Sequence, residues 1–171
     1  MLVAAEREKG EVRAVRCLTI VLAASAALVW AAAASAIIVP QRSIAGIALR
    51  MSGAEVKAEA GEPDSIHHGM NDFGPFTVYR YRRLKVTFQG NHEVTAVSTT
   101  RRRQHTAEGI HVGSTETALH TAYPGAHCRT ESPDFRHCWT GHFQPGRRVT
   151  DYRIGILSGR VKLVTVGFVI D

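Results

Sequence analysis

Two stretches of this chain lie on one another without gaps: Gly46 to Glu62, GIALRMSGAEVKAEAGE, and Gly109 to Gly125, GIHVGSTETALHTAYPG, at an offset of 63 residues. Gly46 matches Gly109, Ile47 matches Ile110, Leu49 matches Val112, Ser52 matches Thr115 and Val56 matches Leu119. Self-similarity at this period points to a duplicated supersecondary unit, which limits the chain to folds built from two like halves. Each copy has the chemistry of a helix start. Ser52 and Thr115 are N-cap residues, and Glu55 stands three places after Ser52 as in a capping box. Ala118 occupies that place in the second copy, so the box is missing there. Gly61-Glu62-Pro63 and Pro124-Gly125 end the two helices.

After each helix the apolar period shortens to two. Phe76 to Tyr81, Leu84 to Gln89 and Val94 to Thr100 read as a three-stranded antiparallel meander, separated by Arg82-Arg83 and Gly90-Asn91-His92. The second half offers His137 to Phe143, Val149 to Leu157, a turn at Ser158-Gly159, then Val161 to Ile170. Arg101-Arg102-Arg103-Gln104 reads as a solvated linker between the halves. The expected fold is α+β: two tandem helix-plus-antiparallel-meander units, residues 37–103 and 104–171, packed as one small domain after an N-terminal signal peptide, residues 1–36.

The signal is read from Cys17 to Val39, which carry no charge and follow Arg7, Lys9, Arg13 and Arg16; Ala34-Ser35-Ala36 then supplies the small residues a signal peptidase accepts. The competing reading is an uncleaved membrane anchor, since the apolar run is long enough to span a bilayer. The leader carries one more base than acid, so the mature chain stays close to the formal net charge of +6. A basic exported protein is drawn to acidic proteins or anionic envelope polymers, and nucleic acid is not expected there. Cys128 and Cys138 would meet an oxidising compartment, where a disulfide closing their short loop contributes roughly 2–3 kcal/mol. A metal site is the alternative, because His127 precedes one cysteine and His137 the other. Zinc ligands usually pair at two to four intervening residues, and here nine intervene.

The Gly/Ile lead, the Ser/Thr cap, the short alanine-rich helix and the Gly-x-Pro before strands resemble the tandem repeat of the secreted β-lactamase-inhibitory proteins of actinobacteria. They also resemble the small lipoprotein of the outer-membrane β-barrel assembly machinery. The resemblance implies two helix-plus-sheet units side by side, a cysteine pair after a helix, matched by Cys128 and Cys138, and protein binding without catalysis. The first unit has no cysteine pair, and the family's Gly-Met-Thr turn is reduced to Arg50-Met51-Ser52 and Gly113-Ser114-Thr115.

Nine histidines invite an enzyme reading. The chain holds no H-E-x-x-H, no G-x-S-x-G and no Gly-rich phosphate loop, and His67-His68 sit in what reads as a polar loop, Ser65 to Gly74. No catalytic residue, cofactor or metal is therefore assigned. The candidate contact surface is Tyr79, Tyr81, Arg82 and Arg83, with Trp139, Phe143 and Arg147 as its counterpart in the second half, since aromatic and arginine side chains dominate interface hot spots. The expected partner is an extracellular or envelope protein, or an anionic envelope polymer, with membrane contact only if residues 1–36 are retained. A small secreted hydrolase or metal-dependent enzyme, and a tethered structural envelope protein, are the other classes. Mass measurement of the exported chain is expected to place its first residue at Ile37; a chain retaining residues 1–36 is the tethered form instead.

Overall fold

A computed structural model describes residues 38–90 and 92–170; the expected signal peptide, residues 1–36, lies outside the described residues. The chain opens with three two-residue strands, β1 (Ile38–Val39), β2 (Ser43–Ile44) and β3 (Ile47–Ala48), which form a small antiparallel sheet. Helix α1 (Gly53–Ala60) follows, then β4 (Ser65–Asn71), β5 (Gly74–Tyr81), β6 (Leu84–Gln89) and β7 (Val94–Thr99). Helix α2 (Glu116–Ala122) precedes β8 (His127–Ser132), β9 (Phe135–Gly141), β10 (Arg148–Gly155) and β11 (Arg160–Phe168). Both helices start where cap chemistry places them. Ser52 and Glu55 form a complete capping box, whereas Thr115 accepts from Ala118 N without a returning acid.

The eight long strands make one antiparallel sheet in the order β4-β5-β6-β7-β11-β10-β9-β8. This corrects the expected α+β class of helix-plus-meander units. Strands dominate, the helices have only eight and seven residues, and no boundary divides the sheet where the halves meet. The reason lies in β7 and β11, whose outer edges pair directly, Val97 opposite Val166 and Thr99 opposite Val164. A second correction concerns Ser65 to Gly74, expected as a loop. Most of it is β4, an exposed edge strand held by its backbone ladder to β5 rather than by a buried side-chain face. His127–Ser132 joins the opposite edge as β8 in the same way. Within the expected linker Arg101 to Gln104, the arginines are exposed but Gln104 is buried.

Directly opposed residues of an antiparallel pair share a face. On one face Leu84, Val86, Phe88, Val97, Val164, Val166 and Tyr152 form the core with Val56 of α1, Leu119 of α2 and Ile38, Ile44 and Ile47 of the small sheet. Gln41, in the β1–β2 turn, fastens that small sheet by donating to Thr140 Oγ1 at 2.7 Å and, through its backbone N–H, to Thr150 Oγ1 at 2.7 Å. Helix α2 is held to β9 by Arg136, whose Nε donates to Glu116 Oε2 at 2.9 Å. The other face carries Lys85, Thr87, Thr165, Asp151, His137 and Trp139; the helices and the small sheet pack on the opposite side.

Arg136 holds the Glu116 carboxyl below the usual carboxylate range, although burial opposes the shift. A carboxyl lowered on folding adds stability above its unfolded pKa, about 4.3, and that stability is lost as pH falls through the lowered folded value. Glu116→Gln is therefore expected to cost roughly 0.2–1 kcal/mol near neutral pH, because the pair is partly exposed. The difference should vanish in acid, as read from urea midpoints at the two conditions.

Candidate functional site

Strand β9 alternates between the two faces, and the alternation sorts its chemistry. Cys138 points to the covered side and is bonded to Cys128, its direct register partner on β8. His137 and Trp139 point to the open side, opposite Arg129 and His127. The sequence-adjacent pairs His127-Cys128 and His137-Cys138 thus cannot share a metal, because neighbouring side chains of a strand face opposite ways.

On the open face the rings gather. Gly141 takes a φ of 91°, a left-handed conformation open to glycine at little cost, and an added Cβ would stand 2.7 Å from the Arg148 carbonyl oxygen. The bend starts the loop from β9 that brings Phe143 back over the sheet, its ring centroid 4.9 Å from Trp139 and 5.7 Å from His137. Phe135 stacks on His137 at 5.0 Å and His127 on Trp139 at 5.8 Å. Arg153 lies 5.1 Å over the Phe135 ring, a cation–π contact.

His137 is only 4% exposed, and two carboxylates bracket it. Its Nδ1 is hydrogen-bonded to Asp151 Oδ2, and its Nε2 lies 3.2 Å from Glu131 Oε1. A ring protonated on both nitrogens can donate to both carboxylates; a neutral ring can donate to one. Burial pushes the Asp151 carboxyl up against the opposing pull of His137. Arg129, donating through Nε at 2.6 Å, holds the Glu131 carboxyl down, with a smaller contribution from His137. A groove of about 450 Å³ runs beside this cluster, walled by Phe135, His137, Phe143, Asp151, Thr165 and Val169. The Nε2 that a general base would turn toward a nucleophile is occupied by Glu131.

The structure brings Trp139 and Phe143 together and separates them from the first-half candidates. Tyr79 and Tyr81 lie on the covered face, opposite Val86 and Leu84. A Cβ on Gly53 would come 2.8 Å from the Tyr79 hydroxyl, and Tyr81 donates to the carbonyl of Gly61 at the end of α1. These tyrosines pack the helix, so the two aromatic patches do not merge into one surface. Arg82 and Arg83 are exposed in the β5–β6 turn, and Arg147 is exposed in the loop entering β10. Sequence reasoning passed over His137, Asp151 and Glu131 as a set. The available signal was an acidic residue, Asp151, inside the strand expected over Val149 to Leu157.

No protein-family model matches the chain, and no curated protein matches it. Among solved structures, an extracellular protein containing a SCP domain from Bacillus anthracis str. Ames aligns with a TM-score of 0.45 and 8% identity, covering 70% of this chain and 44% of that one. The chain thus spans less than half of that protein, and the likeness is too distant to carry an argument.

Asp151→Ala is expected to leave His137 buried beside an empty position and to destabilise the fold by roughly 1–3 kcal/mol. Arg153→Ala, which removes one exposed cation–π contact, should cost no more than about 0.5–1 kcal/mol. Thermal unfolding of the two variants tests the contrast.

Proposed function

We propose that this chain is an exported, non-enzymatic protein that binds another protein through the open face of its eight-stranded sheet. One observation carries the reading: Phe135, His137, Trp139 and Phe143 form a ring cluster on the face away from the helices, with the Phe143 ring exposed, beside a groove of about 450 Å³. A surface aromatic cluster with a polar rim has the composition of an interface centre. Trp139 and Phe143 act as the anchors. The buried His137, held from both sides, fixes the rings in place before binding and so lowers the ordering cost.

Export is supported by the charge-free segment Cys17 to Val39 with its Ala34-Ser35-Ala36, and by the Cys128–Cys138 disulfide, which suits an oxidising compartment. The exposed cations Arg82, Arg83 and Arg147 favour an acidic partner, whether an envelope protein or an anionic polymer presented with it. Duplication is supported by the matched caps Ser52 and Thr115 and by the division of the sheet, since β4–β7 come from the first half and β8–β11 from the second. Kinship with the β-lactamase-inhibitory and assembly-lipoprotein group is consistent with that arrangement and remains part of the proposal.

With a partner captured from culture or envelope extract, Trp139→Ala and Phe143→Ala are each expected to weaken its binding by roughly tenfold or more. Tyr79→Ala, on the covered face, should lower stability and leave affinity unchanged. Equal affinity for the wild type and the two open-face variants would falsify the assignment.

A further inference from the structure

The covered side of the same hairpin holds a different cluster. Glu116 and His120 stand four residues apart on α2, which places them one above the other on a helix face. That face is turned to the paired sulfurs of β8 and β9. His120 Nε2 lies 3.3 Å from Cys128 Sγ and 4.0 Å from Glu116 Oε1. The donor atoms of Glu116, His120, Cys128 and Cys138 all lie within 4.8 Å of one another. Around zinc, with metal–nitrogen and metal–sulfur bonds of about 2.0 and 2.3 Å, tetrahedral donors stand roughly 3.3–3.8 Å apart. The cluster therefore needs only small side-chain shifts to close on an ion once the sulfurs are free.

We infer that the reduced chain binds one zinc ion through Glu116, His120, Cys128 and Cys138, so that disulfide and metal are alternative occupants of one clamp between α2 and the β8–β9 hairpin. Two thiolates, an imidazole and a carboxylate form a donor set suited to zinc. The nine-residue gap between the cysteines is no obstacle, because direct cross-strand register brings the sulfurs together as a short loop otherwise would. The nitrogen ligand is His120 of the helix, since the histidines next to the cysteines point to the other face. Arg136, donating to both oxygens of the Glu116 carboxylate, is a positioning residue that orients a ligand without touching the metal; each oxygen keeps a second lone pair. Cys138 is buried while His120 is exposed, so the clamp has a closed floor and an open mouth.

Opening the clamp needs a reductant of the dithiol class. The dithiol gives two electrons and two protons to the S–S bond and closes to its own cyclic disulfide. Cys128 and Cys138 become thiols, and each loses its proton to solvent as its sulfur bonds to the metal.

The test uses the full chain carrying Cys17→Ser, so that the two clamp cysteines are the only ones left. It is reduced with dithiothreitol, freed of it without air, and titrated with cobalt(II) as the spectroscopic probe. One cobalt per chain should give the intense visible absorption of a tetrahedral thiolate site, and zinc should bleach it. The oxidised chain should give no such spectrum. His120→Ala keeps both sulfurs and should weaken zinc binding by roughly a hundredfold or more, and Arg136→Met by roughly 10–100-fold. Circular dichroism of the oxidised variants checks that they fold. A reduced chain without the tetrahedral spectrum, equal cobalt binding by the oxidised chain, or unchanged zinc affinity in His120→Ala overturns the inference.

Discussion

The pairing of β7 with β11 governs the rest of the molecule. Thr99 opposes Val164, Ser98 opposes Thr165, Val97 opposes Val166 and Ala96 opposes Gly167. On the covered side the valines join the two halves of the core, and on the open side Ser98 and Thr165 share a hydrogen bond of 2.9 Å. At the end of the ladder a Cβ on Gly167 would stand 3.1 Å from that of Ala96, so glycine suits this close approach. Each half alone would expose an unpaired strand edge beside a half-built core, and such edges invite pairing with other chains. The ladder satisfies both edges at once. It also fixes where the β11-β10-β9-β8 part of the sheet, and the ring cluster on it, stands beside β4–β7.

Because strand side chains alternate, one hairpin serves two unrelated tasks. On β9, Arg136 and Cys138 face the covered side, where Arg136 ties α2 down and Cys138 ties β8, while His137 and Trp139 face outward. The same division explains why the covered side accumulates aliphatic residues, whereas the open side holds a histidine bracketed by carboxylates. A buried polar ring is tolerable only when its nitrogens are partnered. Asp151 and Glu131 meet that need, and in doing so they immobilise the surface on which Trp139 and Phe143 rest.

Electrostatics divides the molecule in a similar way. Exposed arginines collect at the β5–β6 turn and just beyond β7, where Arg83 O accepts from Thr100 N at 3.1 Å and holds the two basic segments near each other. The ring cluster, in contrast, balances Arg129 and Arg153 against Glu131 and Asp151. Under the proposed function, a partner seated on the rings would meet a locally balanced centre, with no unpaired charge to bury.

Local chemistry was legible in the sequence. The caps Ser52 and Thr115 start helices where expected, and Leu84 to Gln89 is β6 residue for residue. Cysteine count and compartment pointed to the disulfide that Cys128 and Cys138 form. These follow from neighbours along the chain, which propensity and hydrogen-bonding chemistry report directly. Edge strands β4 and β8 were not legible, because exposed polar strands owe their pairing to a ladder rather than to an apolar pattern. Nor could the sequence assign faces across the sheet. Tyr79 looked like a contact residue and packs a helix, while His137 looked like a companion of Cys138 and belongs to the opposite side. The sequence by itself determined where elements start and which residue types they carry. Only the tertiary structure decided which strands become neighbours, through the long-range β7–β11 pairing, and hence which side chains share a face.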